Sequence, residues 1–241
     1  MFTVALIGPD GAGKTTISRR LQDEFPLPIK YIYMGVNRDS SNHMLPTTRL
    51  IRAIKRALGA KPDVLGPPDR NKVKARPKNP MKRVLASIKA VFRLANQLSE
   101  EWFRQAVAWY YKQRGHVVLF DRHFFSDYHA YDIANGAGLP LSRRIHGFLL
   151  QHFYPKPDLV IYLDAPAEVL FARKGEGTVE ALERRRQEYL QLRHLVQHFA
   201  IVDVTQSPDE VTRDVSQLML DFLEGGRSIS EKVRDVQEQT L

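Results

Sequence analysis

Residues 8–15 read Gly-Pro-Asp-Gly-Ala-Gly-Lys-Thr and satisfy the G-x-x-x-x-G-K-[ST] pattern of a phosphate-binding loop. Glycines at Gly8, Gly11 and Gly13 let the backbone curl, so that the amides of the loop and of the following helix start (Ala12 to Thr16) converge on a phosphate. The Lys14 ammonium then reaches the β- and γ-phosphates, and the Thr15 hydroxyl completes the shell of a Mg²⁺ ion. The expected ligand is a nucleoside triphosphate, ATP with Mg²⁺.

A second cluster is Asp121-Arg122-His123, directly after the apolar run 117–120. An acid at the carboxyl end of a strand, in a sheet that also carries a phosphate loop, faces the phosphates; there it holds Mg²⁺ or orients the attacking group. Arg122 offers a planar fork for a pair of phosphate oxygens. A third cluster runs from Leu163-Asp164-Ala165-Pro166 through Arg173-Lys174-Gly175-Glu176-Gly177 to Glu183-Arg184-Arg185-Arg186. It reads as strand end, short helix, glycine hinge and second helix, a flap able to bring cations over a triphosphate and exclude water. Arg173 is the favoured cation, because three successive residues such as Arg184–Arg186 cannot all face one ligand; the alternative for them is a solvated face paired with Glu180, Glu183 and Glu188.

The elements that position these residues alternate. Apolar runs at 2–7, 29–34, 117–120, 159–163 and 200–204 read as strands, with helical patterns between them, which predicts an α/β fold around a parallel sheet. Residues 15–25 read as an amphipathic helix carrying Ile17, Leu21 and Phe25 on one face. A longer helix is expected to carry Val84, Ile88, Val91, Ala95, Leu98 and Trp102 on one face, and to end at Gly115. The aromatic stretches 102–111 and 148–154 read as core and interface. Gly225-Gly226 marks an expected boundary, with a weak amphipathic helix in the tail beyond it.

The 241-residue chain suffices for one sizeable domain of about 1–223, with an insertion near 36–80, a lid near 173–186 and a tail at 224–241. It has no cysteine, which excludes disulfides and thiolate metal sites. No run reaches the roughly 18 apolar residues of a membrane span, and a strand beginning at residue 2 leaves no room for a signal peptide. A cytoplasmic enzyme is the expectation. The net charge of +9 is concentrated: residues 49–83 hold 12 Lys/Arg against Asp63 and Asp69, while the rest is near neutral. Such a Pro-rich basic segment suits a polyanion, a membrane surface or the triphosphate itself, or is a solvated insertion.

Taken together, the chain resembles the thymidylate kinase family of P-loop nucleoside monophosphate kinases. Asp10-Gly11-Ala12-Gly13-Lys14-Thr15-Thr16 is similar to that family's loop, which carries an acid at the Asp10 position. Asp121-Arg122-His123 with Ser126 and Ala130-Tyr131 resembles its Asp-Arg-[Tyr/His] signature and following helix. Tyr162-Leu163-Asp164 through Arg173 resembles its lid, and residues 202–207 its last strand and adenine-side loop. The resemblance implies a P-loop NTPase three-layer sandwich with a five-stranded parallel sheet, a closing helical lid and ATP·Mg²⁺-dependent phosphoryl transfer to a nucleotide-like acceptor. By position, Asp10 contacts the acceptor sugar, Arg122 and Tyr131 the acceptor, Arg173 the transferring group, Thr205 and Gln206 the adenine, and Thr15 with Asp121 the metal. A homodimer is compatible with it.

Two positions depart from the family pattern. Gly35-Val36-Asn37-Arg38-Asp39-Ser40 stands where the family has an Arg-Glu-Pro-Gly-Gly loop around the acceptor. Glu100 stands at the base-recognising arginine and Trp102 at the neighbouring glutamine. The open alternatives are a nucleic-acid-associated P-loop protein, such as a polynucleotide 5′-end kinase, and a kinase acting on a non-nucleotide hydroxyl.

Overall fold

A computed structural model describes residues 1–35, 43–57, 59, 80–129, 140–175 and 177–238. The strands are β1 (Thr3–Ile7), β2 (Ile29–Tyr33), β3 (Val117–Asp121), β4 (Leu159–Asp164) and β5 (Phe199–Asp203). Their order in one parallel sheet is β2-β3-β1-β4-β5. β1 lies between β3 and β4, with Leu6 opposite both Asp121 and Ile161. Every strand falls within one residue of its sequence expectation, because each is a short apolar run too brief for a helix. The helices are α1 (Lys14–Glu24), α2 (Pro46–Ala57), α3 (Pro80–Gln113), α4 (Phe124–Tyr128), α5 (Leu141–His152), α6 (Ala167–Lys174), α7 (Val179–Gln191) and α8 (Pro208–Glu238). No described helix is long and apolar enough to cross a membrane.

The chain divides into two compact units. The first comprises residues 1–31, 111–121 and 157–241. Its core joins Val4 and Leu6 of β1, Leu119 of β3, Ile161 and Leu163 of β4 and Val202 of β5 to Ile17 and Leu21 of α1 and Val215 and Met219 of α8. Burying aliphatic chains of this size contributes about 1.5–3 kcal/mol each. Helix α8 opens on a reciprocal cap: Ser207 N donates to Glu210, and Glu210 N donates back to the Ser207 hydroxyl. It then continues through Gly225-Gly226 without the expected break. Glycine costs a helix about 1 kcal/mol per residue and does not by itself terminate one.

The second unit comprises residues 32–110 and 122–156. The expected helix α3 is present, and three residues of its apolar stripe face solvent: Ile88 is 59%, Val91 67% and Trp102 45% exposed. The buried positions among its described side chains are Ala108 and, unexpectedly, the polar Glu100, Glu101, Arg104 and Gln105. Glu100 and Glu101 are tolerated there because both carboxylates accept hydrogen bonds, Glu100 from Leu45 N. Glu101 accepts from Tyr154 at 2.7 Å and Gln97 at 3.0 Å and lies 3.0 Å from the His146 ring, and Gln97 also reaches the Tyr128 hydroxyl. Among the aromatics, Tyr154 is buried, whereas Trp109, Phe148 and Phe153 are more than half exposed.

Candidate active site

The phosphate loop lies in the first unit. β1 delivers the chain into the loop, and α1 begins at Lys14 with Gly13 at its N-cap, where no side chain caps the first-turn amides. Those amides and the positive end of the helix dipole are available to an anion. Glycine is required at two points of close approach. At Gly8 (φ 152°) a Cβ would stand 2.6 Å from the Leu163 carbonyl oxygen, and at Gly11 (φ 90°) 2.7 Å from that of Leu170. Both obstacles are backbone and cannot move aside. Ala12 is fully buried, while Thr16 is exposed. The buried Lys14 ammonium donates to the Gly8 and Pro9 carbonyls at 2.8 and 2.7 Å, which holds it inside the curl of the loop.

The loop meets β3 through Asp121. Its Oδ2 accepts from the Thr15 hydroxyl at 2.7 Å and from the Tyr31 hydroxyl at 3.0 Å. Its Oδ1 is buried and has no hydrogen-bond partner among the described residues. A buried carboxylate oxygen without a donor is costly unless a cation takes it up. Mg²⁺ fits this donor set, since it is commonly held by one or two protein oxygens together with substrate phosphates. Among the described residues no group of three or more acidic, histidine or cysteine side chains forms an all-protein metal cage.

The flap segment is also in the first unit. α6 ends at Gly175 in a left-handed conformation (φ 66°), and α7 starts at Thr178, whose hydroxyl accepts from Ala181 N. Arg173 is exposed in the last turn of α6. Its neighbour Lys174 pairs with Asp10 at 3.6 Å. Arg186 is engaged: its Nε and Nη2 donate to the two oxygens of Asp164 at 2.8 Å, and its Nη1 donates to Glu183 at 2.7 Å. Arg185 pairs with Glu188 at 3.6 Å. Burial alone would push the Asp164 carboxyl up, but hydrogen bonds from Arg186 and Tyr162 and the guanidinium charge bring it below the usual carboxylate range. Thr205 and Gln206 are exposed beyond β5, where Thr205 N donates to Asp203 Oδ1 at 2.8 Å and shapes the turn.

In the second unit, Arg122 is the one non-glycine among the described residues with positive φ, at 67°. A side-chain-bearing residue in that region costs about 1–3 kcal/mol, and such strain gathers at functional sites. A Cβ on Gly35 would meet the Tyr33 hydroxyl at 2.5 Å and Arg122 Cδ at 2.6 Å, so the end of β2 and the Arg122 stem are in tight contact. The buried Arg104 guanidinium donates to the Gly35 carbonyl at 3.1 Å and lies 5.5 Å from the Phe124 ring centre. His123 is a helix cap: its Nδ1 accepts from Phe125 N, and burial pushes its pKa down to about 3, so the ring is neutral at physiological pH. Glu100 accepts from Leu45 N with both oxygens at 3.3 Å, immediately ahead of α2.

Of the expected residues, Lys14, Thr15 and Asp121 are thus brought together, with Asp10 on the same loop. Tyr131, the stretch 36–42 and most of the basic insertion lie outside the described residues. Sequence reasoning missed Tyr31, Arg104 and the Asp164–Arg186 pair. The pair had a signal in an acid at a strand end and an arginine in the next long helix. Tyr31 and Arg104 had none, since each depends on a partner distant in the chain.

A family model described as thymidylate kinase matches residues 91–215. The chain is 33% identical over 110 residues to thymidylate kinase from Shewanella frigidimarina, covering 42% of this chain and 50% of that protein. It is 30% identical over 118 residues to thymidylate kinase from Staphylococcus haemolyticus, covering 44% and 57% respectively. It is 28% identical over 109 residues to probable thymidylate kinase 1 from Saccharolobus solfataricus, covering 43% and 54%. The chain therefore spans about half the length of the curated relatives it matches.

Proposed function

The chain belongs to the thymidylate kinase family, and on that premise we propose that it transfers the γ-phosphate of ATP to a nucleoside monophosphate or a closely related small phosphorylated metabolite in the cytoplasm. The observation that carries this reading is the Asp121 carboxylate, held by Thr15 at the phosphate loop with one buried oxygen unsatisfied. Thr15 and Asp121 would hold Mg²⁺, which when bound neutralises charge on the transferring phosphates. Lys14 and the loop amides position the donor, and Thr205 and Gln206 flank its base. Arg122 supplies a bidentate fork to the acceptor phosphate, and Asp10 accepts from an acceptor hydroxyl. The exposed Arg173, in the last turn of α6, extends its side chain toward the transferring group, while the Arg186–Asp164 pair keeps α7 on β4.

The acceptor is read by other means than the family's thymine contact. Glu100 occupies the position of the base-recognising arginine, and its carboxylate is committed to Leu45 N. A site without the donors built for a given base loses most of its discrimination for it. The test is ADP formation from ATP·Mg²⁺ with a panel of nucleoside monophosphates, nucleosides, sugar phosphates and oligonucleotide 5′ ends. Turnover with a monophosphate other than thymidylate is expected. Turnover confined to oligonucleotide ends or to unphosphorylated hydroxyls would overturn the proposal.

A further inference from the structure

We propose that Arg104 is a positioning residue for Arg122: from the buried side of α3 it fixes the two stretches of chain between which the Arg122 side chain is held. The proposal rests on the reading of Arg122 as the fork for the acceptor phosphate, and it adds the group that aims that fork. Arginine is seldom fully buried, because removing its charge from water is costly unless hydrogen bonds and a favourable surrounding offset it. Arg104 is nonetheless 2% exposed. Its guanidinium donates to the Gly35 carbonyl at 3.1 Å and stands 5.5 Å from the centre of the Phe124 ring, within the range of a cation–π contact.

Those two contacts bracket Arg122, and all of these residues belong to the second unit. Gly35 lies against the Arg122 stem, since a Cβ there would stand 2.6 Å from Arg122 Cδ. Phe124 follows Arg122 by two residues and opens α4. Between them Arg122 keeps its φ of 67°, a conformation that a residue with a side chain retains only where its surroundings over-determine it. The turn after it is pinned separately: the Ser126 hydroxyl donates to the His123 carbonyl at 2.8 Å, and Phe125 N donates to His123 Nδ1 at 3.4 Å. Those caps hold the backbone of the turn. The direction in which the Arg122 side chain leaves it is limited by Gly35, and Gly35 is tied to Arg104.

The arrangement has a kinetic signature. Cδ joins the planar guanidinium through a single rotatable bond, so the place of Cδ sets where the two donors of the fork can reach. Bidentate contacts tolerate little error, and a misplacement of about 1 Å can cost about 100-fold in rate. Holding the stem before the acceptor arrives also removes part of the ordering cost of binding. Loss of Arg104 is therefore felt by the acceptor and not by ATP, and it is felt only while Arg122 has a fork to aim.

The experiment is a double-mutant cycle between residues 104 and 122 in the full chain, read with ATP·Mg²⁺ and the best acceptor of the panel above. Arg104→Lys keeps the charge but cannot both donate to Gly35 and lie as a plane against Phe124. It should raise the acceptor KM about tenfold and leave the ATP KM within about twofold. Gly35→Ala keeps Arg104 and its carbonyl partner but sets a methyl against the Arg122 stem, and it should act in the same direction; it also serves if Arg104→Lys does not fold. Added to Arg122→Gly, Arg104→Lys should cost less than about twofold more. A second readout needs no turnover. With isotope-labelled arginine, the Arg122 Nε–H resonance is assigned by its loss in Arg122→Lys. It should move in Arg104→Lys and Gly35→Ala and stay in place in Lys89→Gln, an exposed position of the same helix. Wild type silent toward every acceptor would count against the phosphotransfer reading and leave this resonance to decide whether Arg104 aims Arg122. Three results would each overturn the proposal: an ATP KM that rises with the acceptor KM, an equal cost of Arg104→Lys with and without the Arg122 side chain, or an Arg122 resonance unmoved in both variants.

Discussion

The Thr15 hydroxyl donates to Asp121 Oδ2 at 2.7 Å although 106 positions separate the two residues. By giving its proton to the carboxylate, Thr15 keeps its oxygen lone pairs for a cation, and Asp121 keeps Oδ1 for the same purpose. Tyr31 reinforces the arrangement by donating to the same Oδ2. The pair is possible because β3 lies next to β1 in the sheet, with Leu6 opposite Asp121.

Asp121→Asn is expected to leave the fold intact, since its amide oxygen still accepts from Thr15 and Tyr31. Phosphoryl transfer should nonetheless fall by about 100-fold or more, because the charge facing the metal is gone. Tyr31→Phe should cost far less. Steady-state kinetics with a Mg²⁺ titration checks both, and an undiminished rate in Asp121→Asn would remove the residue from the site.

Lys14→Ala should abolish transfer while circular dichroism stays unchanged. The ammonium is held by the Gly8 and Pro9 carbonyls, and those carbonyls accept water once it is removed. Near-normal turnover in the folded variant would show that the donor site lies elsewhere.

How legible each feature is in the sequence depends on how local its signal is. The phosphate loop, all five strands and the start of α7 rest on contiguous residues, and they stand where the pattern put them. The inner face of α3 was not legible. Its apolar residues are the commoner kind on that helix, yet Glu101, His146, Tyr154, Gln97 and Tyr128 form a buried network that only tertiary pairing creates. The strain at Arg122 is likewise invisible in a motif, because the backbone there must turn from the end of β3 into the His123 cap of α4.

Glu101→Ala is expected to destabilise the chain by about 3 kcal/mol, since it leaves the Tyr154 hydroxyl and the Gln97 amide short of an acceptor in a buried setting. Glu101→Gln should cost less because it retains one acceptor oxygen. Urea unfolding of the two variants beside wild type measures the difference; equal, small losses would count against the network.

The Asp164–Arg186 pair predicts a particular acid limb. Asp164 titrates below its ordinary value of 3.8 in the folded chain. Its contribution is present in full above that value and is lost as pH falls through the lower, folded value. Asp164→Asn should therefore reduce stability at neutral pH by about 1 kcal/mol and flatten the fall below about pH 4. Melting temperatures of wild type and variant across pH 2.5 to 7 (roughly the range in which carboxylates titrate) provide the check, and parallel curves would contradict it.

Arg122 allows backbone and side chain to be separated. Its φ of 67° is natural for glycine and costly for arginine. Arg122→Gly relieves that conformation, so stability should hold or rise by about 1 kcal/mol, offset in part by the greater freedom of glycine in the unfolded chain. Transfer should fall by about 100-fold, because the fork for the acceptor phosphate is lost. Arg122→Lys keeps the charge and the strain but not the fork, and should fall between wild type and Arg122→Gly in rate while matching wild type in stability. Chemical denaturation and steady-state kinetics on the three proteins resolve the two contributions. A marked loss of stability in Arg122→Gly with transfer untouched would assign the residue to the scaffold, and the strain at the end of β3 would then need another origin.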